Sequence, residues 1–248
     1  MQFVCFPECS RGSVAMNRWA RVVFACLVAG VCFQAAAQPM FESSWATKDV
    51  KLTTAASSGF WQKATPVFAE KNLHDKIIPG SKLEVRSRWT ASYLYVLFIC
   101  PYQQLYLKPS PEKKKETNEL WKWDVAEIFI GSDFEDIKRY KEFEVSPQGE
   151  WIDLDVDLHN PHHEDGWVWN SGFESAARVD PAKHLWYAAM KIPMSALLKR
   201  QAEPGTTFRA NLFLSVGPPT NHREIAWQSP MGETFHAPAH FGLLKLVR

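Results

Sequence analysis

Two alternating segments joined by a short turn constrain the fold of this chain most strongly. Residues 139–146 and 151–158 alternate between apolar and polar side chains, and Pro147 and Gly149 lie between them in favoured turn positions. A period of two is the pattern of a strand with one buried face. The segments therefore predict an antiparallel hairpin, and with it a protein built on β-sheet.

The predicted hairpin has one apolar and one acidic face. We expect its inner face to collect Phe143, Val145, Ile152, Leu154, Val156 and Leu158. Its outer face then carries Glu142, Glu144, Ser146, Trp151, Asp153, Asp155 and Asp157. Either register sets a glutamate opposite or diagonal to an aspartate, and facing like charges destabilise a sheet. We therefore expect a cation nearby, either Arg or Lys from a neighbouring strand or Ca²⁺, which prefers clustered oxygens.

Further strand patterns occupy most of the chain. Residues 82–89 and 93–100 are rich in β-branched and aromatic side chains and predict a second hairpin. Additional strands are predicted over residues 186–192, 207–216 and 241–247. A helix of about two turns is expected to start at Pro193. The pattern indicates an all-β sandwich or barrel with one short helix.

The amino-terminal segment has the pattern of a secretory signal peptide. Arg18 and Arg21 precede an apolar run over residues 22–33, and three alanines at 35–37 supply a cleavage site. The run is shorter than the about 20 residues needed to span a bilayer. We expect residues 1–37 to be a signal peptide with an upstream extension before Met16, and the protein to be secreted or periplasmic.

Residues 38–248 are then expected to form one domain. The formal net charge of the whole chain is +1, which gives no indication of nucleic-acid binding or of anionic lipid as a partner. Cys100 alone follows the predicted cleavage point, so no intramolecular disulfide is expected. The sequence contains no glycine-rich phosphate loop, nucleophile elbow or paired-cysteine motif, and no distinguishable acid and base pair. We therefore expect no enzymatic activity.

The segment WKWDVAEIFIG, residues 121–131, is the candidate binding element. If it is extended throughout, Trp121, Trp123 and Glu127 lie on one face together with two core residues. Flat aromatic surface beside a fixed hydrogen-bond acceptor suits a ligand with one apolar face and a rim of hydroxyls. A sugar ring has this character.

Five blocks in order suggest a family. They are WKWDVAEIFIG, YKEFEVSPQGEWIDLDVD, WYAAMKIPMSAL, FRANLF and FHAPAHFGLLKL. Over about residues 45–247 the chain resembles the family 9 carbohydrate-binding modules and their bacterial relatives. The resemblance implies an antiparallel β-sandwich, of jelly-roll or immunoglobulin-like topology, that binds sugars at polysaccharide chain ends. It also implies a role beside glycoside hydrolases and, in some members, structural Ca²⁺.

The resemblance assigns site residues. It implies that Trp121 stacks on the sugar, that Glu127 binds its hydroxyls and that Trp227 is the second stacking residue. Where the best-known sugar binders carry Arg and Asn, this chain has Glu144 and Ser146. Because Arg209 and Asn211 share one face of a predicted strand, we expect them to replace those donors beside Trp123 and Glu144.

Two alternatives from other classes remain open. Related sandwich domains in secreted redox proteins hold haem b through Met with His or Lys, and Met190, Met194 and Met231 are available here. No spacing selects an axial pair. A divalent metal in the polar loop 159–165 has neither helical nor zinc-finger spacing. The second alternative function is adhesion or assembly by a sandwich that does not bind sugar.

Overall fold

A computed structural model describes residues 38–160 and 167–248. Within them the chain forms twelve strands: β1 Met40–Trp45, β2 Pro66–Ala69, β3 Leu83–Trp89, β4 Tyr93–Pro101, β5 Val125–Gly131, β6 Arg139–Val145, β7 Trp151–Asp157, β8 Glu174–Asp180, β9 Leu185–Pro193, β10 Thr207–Val216, β11 Arg223–Ala226 and β12 Gly242–Val247. Helix α1 spans Met194–Leu197, and short 3-10 helices span Trp61–Lys63, Leu120–Lys122, Pro181–Lys183, Pro219–Asn221 and Pro238–His240. The predicted signal peptide, residues 1–37, lies outside the described residues.

The strands form one continuous path of hydrogen-bonded neighbours. Its order is β7-β6-β5-β10-β12-β1-β3-β4-β9-β8, with β11 added to β10 and β2 added to β3. Strand β1 runs parallel to both β12 and β3, whereas the other pairs are antiparallel. The expectation of a wholly antiparallel sheet is therefore wrong at β1, which joins the two halves of the path.

The two halves pack face to face around the main core. That core unites Ile128 of β5 and Leu212 of β10 with Val96 and Phe98 of β4. The predicted all-β sandwich with one short helix is confirmed. Each half also has an outer face with a smaller apolar cluster. We call the outer side of β5, β6, β7 and β10 the glutamate face, and that of β3, β4 and β9 the covered face.

The predicted hairpin over residues 139–158 is confirmed, but its two faces are not. Register pairs Glu144 with Ile152 and Glu142 with Leu154, so both glutamates share a face with the apolar residues of β7. Phe143 pairs with Asp153. A three-residue loop closed by Ser146 and Glu150 causes this, because it pairs even-numbered residues with even-numbered ones.

The loop geometry depends on one glycine. Gly149 has a φ of +88°, and its N–H donates to the carbonyl of Ser146 at 3.0 Å. A residue in the left-handed region is the usual end of a three-residue hairpin loop, and glycine adopts that region without strain.

Basic partners are present for two of the hairpin aspartates. Lys141 Nζ lies 2.5 Å from Asp155 Oδ1, and Arg139 Nη2 lies 3.0 Å from Asp157 Oδ2. Both cations come from β6 itself. The expectation that a neighbouring strand supplies the Arg or Lys is therefore wrong for these two carboxylates, because the hairpin supplies its own cations.

Helix α1 is one turn long, not two. Pro193 precedes it as the N-cap, and Leu198 returns to an extended conformation with φ −133° and ψ 140°. Met194 and Leu197 are buried in the main core, so packing fixes this turn. No helix among residues 38–160 and 167–248 combines the length and apolar character needed to cross a bilayer.

Candidate functional site

A cleft of about 290 Å³ opens on the glutamate face. We call it the acidic cleft, because four of its lining residues are carboxylates: Glu127, Glu142, Glu224 and Glu233. Its aromatic lining consists of Trp121, Phe129, Trp167 and Phe235, and His236 is its one basic side chain among the described lining residues. The cleft thus combines apolar ring surface with hydrogen-bond acceptors.

Trp121 and Trp123 reach this region in a different way from that predicted. The strand starts at Val125, and Trp121 lies in the 3-10 helix Leu120–Lys122, so the expectation of an extended chain from Trp121 is wrong. Trp121 lines the cleft, but Trp123 stacks on Tyr106 with ring centroids 4.6 Å apart and is not a lining residue.

Asp124 explains why the strand begins where it does. Its carboxylate accepts hydrogen bonds from the backbone N–H of Tyr106 at 2.9 Å and of Gly217 at 2.7 Å. Its own N–H donates to the carbonyl of Tyr106. Burial raises the pKa of Asp124 to about 6, against the lowering effect of these bonds. These bonds tie the residue that precedes β5 to two loops, and the N–H of Trp123 donates to the carbonyl of Leu120 within the 3-10 turn, outside the sheet ladder.

Three buried glutamates, Glu127, Glu142 and Glu144, lie side by side at the floor of the site, and we call them the glutamate triad. Glu127 and Glu142 line the acidic cleft, whereas Glu144 does not. Glu127 of β5 pairs directly with Glu144 of β6. Glu142 lies two residues before Glu144 and therefore on the same side of β6. One carboxylate oxygen from each lies within 4.8 Å of the others. Their exposed fractions are 1%, 2% and 0%.

The triad is electrostatically unbalanced. Glu127 Oε1, Glu142 Oε2 and both oxygens of Glu144 have no hydrogen-bond partner among residues 38–160 and 167–248. Burial raises the pKa of Glu127 and Glu144 well above the ordinary range, and the neighbouring carboxylates raise it further. Burying ionised carboxylates costs on the order of several kcal/mol of free energy unless a cation or a proton neutralises them.

His236 borders the triad. Its Nε2 lies 4.0 Å from Glu142 Oε2, and its Nδ1 lies 2.6 Å from the hydroxyl of Tyr140. The imidazole also stacks on Phe129 at 5.3 Å. The ring is therefore held at the edge of the cleft by contacts on several sides.

Arg209 and Asn211 lie on the same outer side of β10 but do not serve as donors to the triad. Arg209 donates to the carbonyls of Asp133 at 3.0 Å and Ile137 at 3.2 Å. Asn211 is fully buried and binds both the N–H and the carbonyl of Gln228. Both side chains are engaged with loop backbone, and neither lines the acidic cleft.

Trp227 is in the main core, away from the cleft. It packs edge-to-face on Phe41 with centroids 5.0 Å apart, and its ring covers Gly242, where an added Cβ would lie 2.5 Å from the indole. The structure therefore brings Trp121 and Glu127 together in the cleft, with Glu144 opposite Glu127 on β6, and leaves Trp227 on the other side of the sheet.

Sequence reasoning missed several lining residues. Trp167 and Phe235 follow loops far from β5 in sequence, and Phe235 stacks on Phe213 at 4.1 Å. Glu142 was visible as a member of the acidic hairpin face. Glu224 carried no signal, because it enters the cleft only through the pairing of β11 with β10.

The residues considered for a metal or haem are dispersed. Met190 and Met194 are buried in the main core, and Met231 is exposed. His159 Nε2 lies 3.0 Å from Asp136 Oδ1. Residues 161–165 of the polar loop are outside the described part of the chain. Core packing accounts for the first two methionines.

Comparison with known proteins gives one family and several relatives. The family described as "Carbohydrate family 9 binding domain-like" matches residues 54–248. A protein of Arthroderma benhamiae named "Extracellular protein" is 26% identical over 192 residues, which cover 70% of this chain and 84% of the relative.

Two of the similar solved structures are of a family 9 carbohydrate-binding module from Caldicellulosiruptor kristjanssonii. The complex with cellotriose has a TM-score of 0.58 at 14% identity and covers 84% of this chain and 94% of that one. The complex with glucose has a TM-score of 0.57 at 15% identity and covers 85% and 97%. At such identities the similarity establishes the fold.

Proposed function

The chain belongs to the carbohydrate family 9 binding domain-like family, and we propose that it is a non-catalytic module that binds a saccharide in the acidic cleft. The observation that carries the proposal is the juxtaposition of Trp121 with Glu127 in one cleft. These are the two residues that the resemblance assigns to ring stacking and hydroxyl binding. They meet although the local backbone differs from the predicted strand.

The chemistry of the cleft fits a sugar. The C–H face of a pyranose packs on an indole, and its hydroxyls donate to carboxylate oxygens. The volume of about 290 Å³ is at the small end of the usual range for ligand pockets, about 300–1,000 Å³. This size favours one sugar ring inside and further rings outside, as binding at a chain end requires.

The ligand class is supported by the relatives. The Caldicellulosiruptor kristjanssonii module was solved with cellotriose and with glucose, so gluco-configured oligosaccharides are the first ligands to test. The acidic floor of this chain accepts hydrogen bonds and offers few donors. We therefore expect contacts in which the ligand hydroxyls donate.

The proposal also includes the domain bounds and the location of the protein. Residues 1–37 would be removed on export, and residues 38–248 would act as the binding domain outside the cytoplasm. The Arthroderma benhamiae relative is named an extracellular protein, which supports this location. A role beside glycoside hydrolases in polysaccharide breakdown is what the resemblance to the family 9 modules implies.

A pair of tryptophan variants tests the proposal. Trp121→Ala removes the indole from the cleft, whereas Trp123→Ala, two residues away, removes one that stacks on Tyr106 outside it. We expect wild-type affinity for cellotriose in the micromolar to millimolar range, and a loss of at least about tenfold in Trp121→Ala, or about 1.4 kcal/mol. Isothermal titration in Ca²⁺-containing buffer measures both.

Trp123→Ala is the matched control and should bind within about twofold of wild type. Equal losses in both variants would show that the segment folds wrongly instead of losing a stacking surface. Failure of wild type to bind cello- or xylo-oligosaccharides at millimolar concentration would contradict the proposal.

A further inference from the structure

The glutamate triad has the composition of a cation site. We propose that Glu127, Glu142 and Glu144 together bind one Ca²⁺ ion at the floor of the acidic cleft. A further expectation, which rests on the proposed function, is that the ion turns its open coordination positions toward saccharide hydroxyls in the cleft.

Distances within the triad suit one ion of this kind. Ca²⁺ binds carboxylate oxygens at about 2.3–2.6 Å, so two ligands on opposite sides of the ion are about 5 Å apart. The three nearest carboxylate oxygens lie within 4.8 Å of one another. One centre can therefore touch all three, and the remaining positions of a six- to eight-coordinate ion stay open.

Burial and pairing of Glu144 point to a ligand of atomic size. Glu144 has no exposed surface, and neither of its oxygens has a hydrogen-bond partner within residues 38–160 and 167–248. Glu127 and Glu142 line the cleft, but Glu144 does not. A sugar ring or an ammonium group in the cleft can reach the first two carboxylates, whereas a bare ion can reach all three.

Cationic side chains in the described part of the chain do not fill this role. His236, at 4.0 Å from Glu142, is the one basic side chain of the described residues that lies within ion-pair distance of the triad. Lys141 and Arg139 are paired with aspartates of β7, and Arg209 donates to loop carbonyls. Three carboxylates facing one histidine leave a net negative charge that a divalent ion would neutralise.

The backbone holds the triad in place. Glu127 and Glu144 are direct partners across β5 and β6, both inside continuous ladders. A rigid floor of this type cannot relax by turning a carboxylate to solvent, because all seven residues of β5 are buried. Preorganised ligands favour metal binding over solvent exposure of the acids.

Shared protons are the competing explanation. A proton between two carboxylates would also neutralise part of the charge, and burial raises the pKa of Glu127 and Glu144 in that direction. The two explanations differ in their response to Ca²⁺. If the triad binds Ca²⁺, the ion displaces the protons and its affinity increases as pH rises. If protons alone neutralise the triad, it does not bind Ca²⁺.

The experiment uses the full chain after removal of metal with EDTA. Titration with CaCl₂ is followed by calorimetry, and Tb³⁺ luminescence sensitised by the cleft tryptophans reports an ion at this place. We expect one Ca²⁺ to bind with a dissociation constant at or below about 1 mM, the range of extracellular modules. Glu144→Gln should weaken Ca²⁺ binding by at least about tenfold, because it removes a charged ligand.

Two further variants control for folding and for general charge. Glu233→Gln removes an exposed carboxylate that lines the same cleft outside the triad, and it should bind Ca²⁺ within about twofold of wild type. Glu144→Asp keeps the charge but withdraws it by one methylene, and its affinity should lie between wild type and Glu144→Gln. Wild type that binds no Ca²⁺, or equal Ca²⁺ affinity and Tb³⁺ luminescence in Glu144→Gln, would overturn the proposal.

The same samples separate this inference from the proposed function. Ca²⁺ binding that is lost in Glu144→Gln, in a wild type that binds neither cello- nor xylo-oligosaccharides, supports the cation site and overturns the saccharide function. Cellotriose binding by a chain that binds no Ca²⁺ supports the saccharide function and overturns the cation site.

Discussion

The two outer faces of the sandwich differ in whether their buried charged side chains have protein partners. On the covered face, Arg86 Nε lies 2.6 Å from Glu84 Oε1, and Arg88 donates to the carbonyls of Phe60 and Ser44. On the glutamate face, the oxygens of Glu144 lack hydrogen-bond partners within the described residues. The charged side chains named on the covered face thus have protein partners, whereas the carboxylate of Glu144 has none within residues 38–160 and 167–248.

The two faces also differ in how far other parts of the chain cover them. Residues 50–61 lie across the covered face, where Trp61 is fully buried and donates its indole N–H to the carbonyl of Thr53 at 2.8 Å. The hydroxyl of Tyr95 accepts from the N–H of Val50. On the glutamate face, Trp121 remains half-buried at an open cleft. Under the proposed function, one outer face of the sandwich serves stability and the other serves binding.

Replacing one tryptophan on each face by alanine should change the free energy of unfolding most. Trp61→Ala leaves a cavity beneath residues 50–61 and should lower the free energy of unfolding by about 3–5 kcal/mol. Trp121→Ala removes a half-buried ring and should lower it by less than about 1.5 kcal/mol. Urea unfolding followed by circular dichroism measures both. Equal losses would remove the distinction between a structural face and a binding face.

The same Glu→Gln substitution should have opposite effects on the two faces. In EDTA at pH 8, Glu144→Gln removes an unpaired buried charge and should raise the free energy of unfolding by about 1–3 kcal/mol. Glu84→Gln breaks a partly buried ion pair with Arg86 and should lower it by about 0.5–1 kcal/mol. Denaturant midpoints compare the two. A stability loss in Glu144→Gln would mean that the charge of Glu144 is already compensated.

The stability of the protein should depend on pH through Glu144. Because the pKa of Glu144 is raised on folding, the folded state holds more protons than the unfolded state above the ordinary value of 4.5. In EDTA, the free energy of unfolding should therefore fall as pH rises from 5 to 8, by up to about 1.4 kcal/mol per unit for each such proton. The fall should be smaller in Glu144→Gln.

Asp124 provides an internal check on that measurement. Its pKa of about 6 adds a fall of the same sign between pH 4 and 6, in wild type and Glu144→Gln alike. The difference between the two proteins thus isolates the glutamate triad. Identical pH profiles would indicate that Glu144 does not titrate with folding.

Much of the sheet was predictable from local pattern. The strand over residues 207–216 was placed at the residues where β10 occurs, and the hairpin of β3 and β4 was found within one residue at each end. Alternation within β5 also predicted that Glu127 and Phe129 share a face opposite Ile128. These features depend on side chains two residues apart, which the sequence displays directly.

Four strands, β1, β2, β8 and β11, escaped sequence reasoning. Strand β8 reads ESAARVD, with one β-branched residue in seven, and β2 and β11 are only four residues long. Such segments become strands because a neighbour supplies hydrogen bonds. Local pattern carries little information about that.

Local sequence pattern was sufficient to predict the class of the fold and the alternation of each strong strand, and the family resemblance pointed to Trp121 and Glu127 as a pair. Tertiary structure alone decided that Glu144 lies beside Glu127, that Trp227 enters the main core, and that Trp123 leaves the cleft. The reason is that a strand's own sequence fixes only which residues share a side. Strand order and loop length decide which strand, and which residue of it, lies opposite.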